Sequence, residues 1–235
     1  MTQEKQLKNG QTTTDPRLDR IVQFDEESRE YPIRALVPTA SKPRSYTWRC
    51  DAWLDQGYEG ACVGFSFSHE LAARPSVVKN TSYNSGIWVY NQARMVDEWP
   101  GENYDGTSVL AGAKVLTANG YFKEYRWAFG LDDLILAVGT QGPAVLGINW
   151  YSGMFEPDEK GRLHVDGYVA GGHAILCHGV NLKGRYFKLH NSWGKDWGIN
   201  GECTISFEDM DRLLREQGEA CIPIARTVKR AFVEA

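Results

Sequence analysis

No stretch of the 235-residue sequence approaches the roughly 18 consecutive apolar residues that a membrane span requires. The first twenty residues are polar and lack the apolar core of a secretion signal. The chain therefore reads as cytoplasmic, with no membrane partner. An excess of positive charge is missing as well: 26 Lys and Arg stand against 30 Asp and Glu, a net charge of −4. Without a basic footprint, nucleic acid is not an expected partner. The five cysteines, at 50, 62, 177, 203 and 221, are odd in number and form no Cys-x-x-Cys pair, which weighs against zinc and against a disulfide framework. No metal ligand and no cofactor is expected. Cys177, Cys203 and Cys221 lie in apolar or strand-like runs and read as core residues in a reducing compartment. No internal repeat is apparent.

What is present is an ordinary globular composition, 42% apolar and 24% charged, sufficient for a sizeable core. Residues 2 to 19 carry only Leu7 and Leu18 as large apolar side chains, too few to offset the entropy of ordering them, so residues 1–19 are expected to form a disordered tail. In residues 20–45 the aliphatics are spaced among charges and Pro32, Pro38 and Pro43, which suggests an extended strap on the surface, expected to cross a cleft. From residue 46 the period is helical: a helix from Cys62 stopped by Pro75, another over Asn84 to Val96, and a third entered at Thr107 or Ser108 and stopped by Asn119-Gly120. The pattern then changes. Short β-rich runs over Pro143–Trp150, Gly172–Val180, Arg185–His190, Glu202–Phe207 and Ala220–Val228 imply an antiparallel sheet or barrel. Helices over Asp132–Val138 and Glu208–Gln217 accompany them. The expected class is α+β, with a helical lobe at about 46–130, a β lobe at 131–235, and a cleft where they meet.

The stretch Gln56-Gly57-Tyr58-Glu59-Gly60-Ala61-Cys62 delivers a cysteine to the first turn of a helix, where unpaired amides and the helix dipole favour a thiolate. A buried, inert cysteine is the alternative reading of this stretch alone. A nucleophilic thiol needs a base, and five histidines compete. His69 lies seven residues into the same helix, about 10 Å along its axis, and is expected at the surface. His173 and His178 fall on opposite faces of one strand, an odd number of residues apart, so only one faces the cleft. Gly171-Gly172 would give close access to His173. His164 and His190 carry no comparable signal.

The last informative stretch is His190-Asn191-Ser192-Trp193-Gly194-Lys195-Asp196-Trp197-Gly198-Ile199-Asn200-Gly201. Gln56-Gly-x-x-Gly-x-Cys62, Gly-His173-Ala and Asn191-Ser-Trp-Gly-x-x-Trp-Gly-x-x-Gly occur in that order. Together they resemble the three signature blocks of the papain-like cysteine peptidases, of bacterial or bacteriophage type, without a recognisable long propeptide. The resemblance covers roughly residues 46 to 228. It implies a papain-like two-lobe fold, a helical lobe plus an antiparallel β-barrel-like lobe, with residues 46–235 as the peptidase domain. It also implies that Cys62 is the nucleophile, His173 its base, Asn191 the group orienting His173, and Gln56 an oxyanion donor beside the Cys62 amide. Trp193 would shield the Asn191–His173 hydrogen bond. Gly106 and Thr107 would form the wall that pairs with substrate backbone, and Ala174 would line the adjoining pocket.

The sequence departs from the family where Glu59 replaces a disulfide-forming cysteine, where Val63 and Gly172 replace an aromatic and a polar residue, and where the glycine-lined wall is altered. No insertion resembles an occluding loop, which favours an endopeptidase. The implied activity is hydrolysis of peptide bonds in a peptide or protein substrate by a monomer. The alternatives are a weak or inactive papain-fold binding module, and a thiol amidase or transamidase acting on non-protein peptide amides.

Overall fold

The computed structural model describes residues 5–38, 40–99, 105–224 and 231–233. The end of the strand expected to reach Val228 lies outside the described residues. The helical half consists of α2 (Cys62–Ala72), α3 (Tyr83–Val96) and α4 (Val109–Ala118). They follow a two-strand hairpin, β1 (Lys5–Gln6) and β2 (Thr12–Thr13), a short helix α1 (Glu26–Arg29) and a two-residue strand β3 (Tyr46–Thr47). Every residue of α2 is buried, because Val63, Phe67 and Leu71 face one cluster while Phe65 packs with Ala61 and Tyr90 in another. A helix apolar all round is a core helix. Helix α4 opens where the Ser108 hydroxyl accepts the Ala111 amide, one of the two caps expected.

The second half supplies β4 (Glu124–Trp127), α5 (Leu131–Thr140), β5 (Ala144–Tyr151), β6 (Val169–Asn181), β7 (Tyr186–His190), β8 (Glu202–Ser206), α6 (Phe207–Arg215) and β9 (Glu219–Ile224). The strands lie antiparallel in the order β4-β9-β5-β6-β7-β8, with β3 also paired to β6. The expected five runs are thus all strands; β4 belongs to the sheet although it falls before residue 130. The period of two decides what each face does. Val145, Ala174, Leu176 and Cys221 turn towards α2 and α4, whereas Ala144, Leu146, Ile148, Ile175 and Cys177 turn towards α5 and α6. All five cysteines are buried and free. Among the described residues no helix is long and apolar enough to cross a membrane.

The N-terminal residues depart from expectation. From Lys5 onwards the segment read as a disordered tail is packed into the molecule, with Leu7 3% and Leu18 0% exposed. Two aliphatic side chains would not order eighteen residues in isolation. The balance changes because the buried ion pairs Lys8–Asp97 and Arg20–Glu219 fasten the segment at both ends, reaching partners that no local sequence signal links to it. The strap beyond it is anchored through Ile33 and Val37, both in the core under the sheet.

Candidate active site

Cys62 is the first residue of α2, preceded by Ala61, which offers no side-chain cap. The helix therefore begins with amides unused by any cap and aimed past the sulfur. Strand β6 brings His173 to the same place: the amide of Ala174, the next residue, donates to Cys62 Sγ at 3.3 Å. His173 Nε2 lies 2.8 Å from Asn191 Oδ1, at the end of β7. With Nε2 so engaged, Nδ1 is the ring nitrogen left to exchange a proton with the thiol. The Asn191 oxygen also accepts the Ser192 amide at 2.9 Å, which holds the carboxamide in place.

The rings around this pair exclude water. Trp193 lies 5.0 Å from His173 between centroids, and Trp150 stands edge-on to His173 at 4.7 Å and to Trp193 at 5.3 Å. His173 and Asn191 are 0% and 1% exposed. Gln56 opens the loop that leads into α2, and the Ser192 hydroxyl donates to its Oε1 at 2.6 Å. That leaves the Gln56 amide nitrogen as the pointing group, because the oxygen is already occupied. Ser192 thus orients Gln56, a role that its place inside the Asn191-Ser192-Trp193 block gives no cue to.

Residues 5–21 occupy the cleft itself. Gln56 Nε2 donates to the Glu59 carbonyl at 2.7 Å and to the Arg17 carbonyl at 3.3 Å, so a backbone oxygen of the N-terminal segment stands where Gln56 aims. The Arg17 guanidinium lies 4.1 Å from the Trp193 ring. Asp19 Oδ1 lies 3.1 Å from Cys62 Sγ, at hydrogen-bond range for a thiol donor. The wall residues are engaged as well: the Ile21 amide donates to the Thr107 carbonyl at 2.9 Å, and the Ile21 side chain lies against Gly106, whose φ of +101° suits glycine. The Arg20 amide donates to the Gly172 carbonyl at 3.1 Å. An added methyl on Gly172 would fall 2.1 Å from the Arg20 carbonyl, so the glycine expected to open access to His173 instead admits the N-terminal segment. Arg20 continues inward to donate to Glu219 and to the carbonyls of Gly147 and Gln217.

Occupancy of the cleft governs the electrostatics. Burial pushes the Cys62 thiol well above its usual range, and the Asp19 charge pushes the same way, so the helix terminus does not by itself produce a thiolate. Burial lowers His173 to about 4, against the hydrogen bond to Asn191. Thiol and imidazole are both neutral in this conformation. Burial raises Asp19 to about 6, although Cys62, Tyr90 and Lys5 pull it down.

The remaining histidines divide sharply. His164 is exposed beside Asp158. His69, expected at the surface, is 0% exposed: its Nε2 accepts the Leu54 amide at 2.9 Å, and its ring packs at 4.4 Å from that of His190. Its helix is buried on every side, so no position along α2 is a surface one. His178 faces away from His173, as the odd spacing implies, and its ring packs with those of His69 and His190.

Helices α2 and α4 pack on one face of the antiparallel sheet and α5 and α6 on the other, while α2, β6 and the turn after β7 bring Cys62, His173 and Asn191 together, as in the papain-like fold. No protein-family profile matches the chain. It is 36% identical over 84 residues to cathepsin Q of Rattus norvegicus, a match covering 32% of this chain and 24% of that protein. It is 22% identical over 200 residues to an uncharacterised peptidase C1-like protein of Acanthamoeba polyphaga mimivirus, covering 66% and 64%. The chain thus spans less than two thirds of the length of these relatives. Its fold is similar to the crystal structure of xylellain, a cysteine protease from Xylella fastidiosa, with a TM-score of 0.67 at 16% identity over 96% of this chain and 99% of that one. The α+β, papain-like fold expected from the sequence is the observed one.

Proposed function

We propose that the chain is a cysteine-type endopeptidase of the papain-like kind whose N-terminal segment restrains it. The observation that carries the reading is the hydrogen-bonded chain Ser192–Asn191–His173 beside a helix-terminal Cys62. With the cleft open to a peptide, His173 Nδ1 takes the Cys62 proton and the thiolate attacks the scissile carbonyl carbon, forming a C–S bond. The oxygen gains charge opposite the Gln56 amide and the Cys62 N–H, donors worth about 3 to 4 kcal/mol each in comparable sites. His173 returns the proton to the departing amine as the C–N bond breaks. Water, deprotonated by His173, then cleaves the thioester and restores the thiol.

Gly106, Thr107 and Ala174 are the proposed substrate contacts, because the Ile21 backbone already pairs with the Thr107 carbonyl as an extended peptide would. Trp193 is proposed to screen the His173–Asn191 bond. A peptide or protein substrate, a monomer and a reducing cytoplasmic setting complete the reading; the five free thiols agree with that setting. Likeness to a bacterial protease over nearly its whole length agrees with a bacterial or bacteriophage type.

A second reading, an inactive binding module, is favoured by the filled cleft and the protonated thiol. A recognition site for a foreign protease inserted between Phe24 and Asp25 separates the two. After cleavage and removal of the N-terminal peptide, the endopeptidase should hydrolyse members of a peptide library, and an epoxide peptide inhibitor should label Cys62. Both should be lost in Cys62→Ala. Silence of the cleaved, folded protein, or hydrolysis persisting in Cys62→Ala, overturns the assignment. An added amine, with product masses, distinguishes hydrolysis from transfer.

A further inference from the structure

Behind the catalytic pair, three neighbouring strands bring nitrogen and oxygen donors to one point. His178 on β6 is 2% exposed and His190 on β7 is 0% exposed, while the Glu202 side chain on β8 keeps 37% of its surface. Glu202 Oε1 lies 3.7 Å from His178 Nε2 and 3.5 Å from His190 Nδ1, and the three donor atoms all lie within 4.8 Å of one another. In a tetrahedral zinc site with bonds near 2.1 Å, neighbouring ligand atoms stand about 3.4 Å apart. These two edges are therefore close to what a metal ion would impose.

The tautomer of His178 is dictated by the backbone. His178 Nδ1 is 3.1 Å from the Trp48 carbonyl oxygen, which can only accept, so Nδ1 carries the proton and Nε2 presents a lone pair. That Nε2 has no hydrogen-bond partner and faces a carboxylate oxygen at a separation too long for a hydrogen bond. His178 Nε2 and Glu202 Oε1 face each other with no proton between them, and Glu202 Oε1 reaches only the long 3.5 Å contact to His190 Nδ1, so a cation among the three atoms would satisfy all of them. A backbone carbonyl behind a ligating imidazole is the usual support of a metal-bound histidine. The β6–β7 register shifts between Cys177 and Gly179, a bulge of the kind that re-aims the side chain it contains, here His178. The nearby thiol of Cys50 is turned to the carbonyls of Ala52 and His69, and His69 Nε2 is occupied by the Leu54 amide, so neither joins the set.

We propose that His178 Nε2, His190 Nδ1 and Glu202 Oε1 form a binding site for a divalent transition-metal ion of the zinc class, separate from the Cys62 cleft. The half-exposed Glu202 leaves a fourth position to water. The ion would tie β6, β7 and β8 together directly before Asn191, fixing the strand end that carries it. A site whose donors are imidazole and carboxylate from three strands needs no Cys-x-x-Cys pair and leaves no shared local motif.

The test uses the full chain bearing Cys62→Ser, so that the catalytic thiol offers no competing ligand. After chelator treatment it is titrated with Zn²⁺ alone by calorimetry and with Co²⁺ by visible absorption. A single equivalent of Zn²⁺ should bind with micromolar or tighter affinity, and Co²⁺ should develop a d–d band. Affinity should fall at least tenfold in Glu202→Gln and in His178→Gln, with folding checked by circular dichroism. It should be unchanged in His164→Gln, which removes the exposed histidine beside Asp158. No binding by the folded chain, unaltered affinity in Glu202→Gln and His178→Gln, or loss only in His164→Gln overturns the proposal.

Discussion

A thiol at the first residue of a helix ionises easily when it faces water, yet Cys62 is held protonated by the segment lying on it. The difference comes from Asp19 and from burial, both set by a part of the chain more than forty residues away in sequence. Gly172 is the residue on which this depends most simply. Its missing side chain admits the Arg20 carbonyl, and a Cβ there cannot coexist with the observed path. Overpacking of this kind costs about 1–3 kcal/mol. Gly172→Ala should therefore raise the rate at which iodoacetamide alkylates Cys62 in the intact chain by about tenfold, at 1.4 kcal/mol per decade. Peptide mapping of the adduct over time checks it, and an unchanged rate would mean that the segment re-seats without cost.

At the scale of elements, the helices and strands were legible because their signals are local. The stop at Pro75, the Ser108 cap and the alternating faces of β5 and β6 each depend on near neighbours, and each element lies within a few residues of its expected place. Strand β4 was not legible: Glu124-Tyr125-Arg126-Trp127 alternates charged and aromatic residues over only four positions, too short a run to stand out, and its pairing with β9 is what makes it a strand. Helix α6 shows how a local signal carries energy. The Ser206 hydroxyl accepts the Asp209 amide at 3.0 Å and donates to the Asp209 carboxylate at 2.8 Å. Ser206→Ala should lower stability by about 1 kcal/mol, read as a shifted urea midpoint with unchanged slope.

For the whole molecule, the consequence is pH dependence. Burial raises Asp19 from 3.8 to about 6 and Glu219 from 4.5 to about 7, the latter despite its pairing with Arg20. The groups facing Asp19 are Cys62 and Tyr90 from the helical lobe, Lys5 from β1, and Asp105, which opposes Lys5 by raising the carboxyl further. A carboxyl whose value is raised on docking takes up a proton when the segment docks. For Asp19 the contribution to docking is fully present below the usual carboxylate value and is lost as pH rises through about 6, whereas Glu219 works the other way, because docking brings it the Arg20 charge that lowers its value. Restraint should therefore be strong in acid and weaken towards neutrality. The ratio of activity between the intact and cleaved chains should rise from about pH 5 to about pH 8, the ratio cancelling thiol ionisation common to both. In Asp19→Asn, which cannot ionise, much of that rise should vanish. A ratio that is flat in the wild-type chain would remove Asp19 from the control of the cleft.

The sequence by itself determined the loop from Gln56 to Cys62, the strand carrying His173 and the Asn191-Ser192-Trp193-Gly194 turn. These are short stretches in which glycine spacing, strand parity and a helix start fix where a side chain points, and they meet because their elements belong to one fold. Only the tertiary structure decided what lies over and behind them. Arg20 and Glu219 meet across 199 residues, and the cluster of His69, His178, His190 and Glu202 gathers from one helix and three strands. Such partners leave no periodic trace, because burial and opposite charge select them only after the elements have packed. The loop before Cys62 thus specifies a reactive position, whereas the fold decides whether the thiol there is free to react.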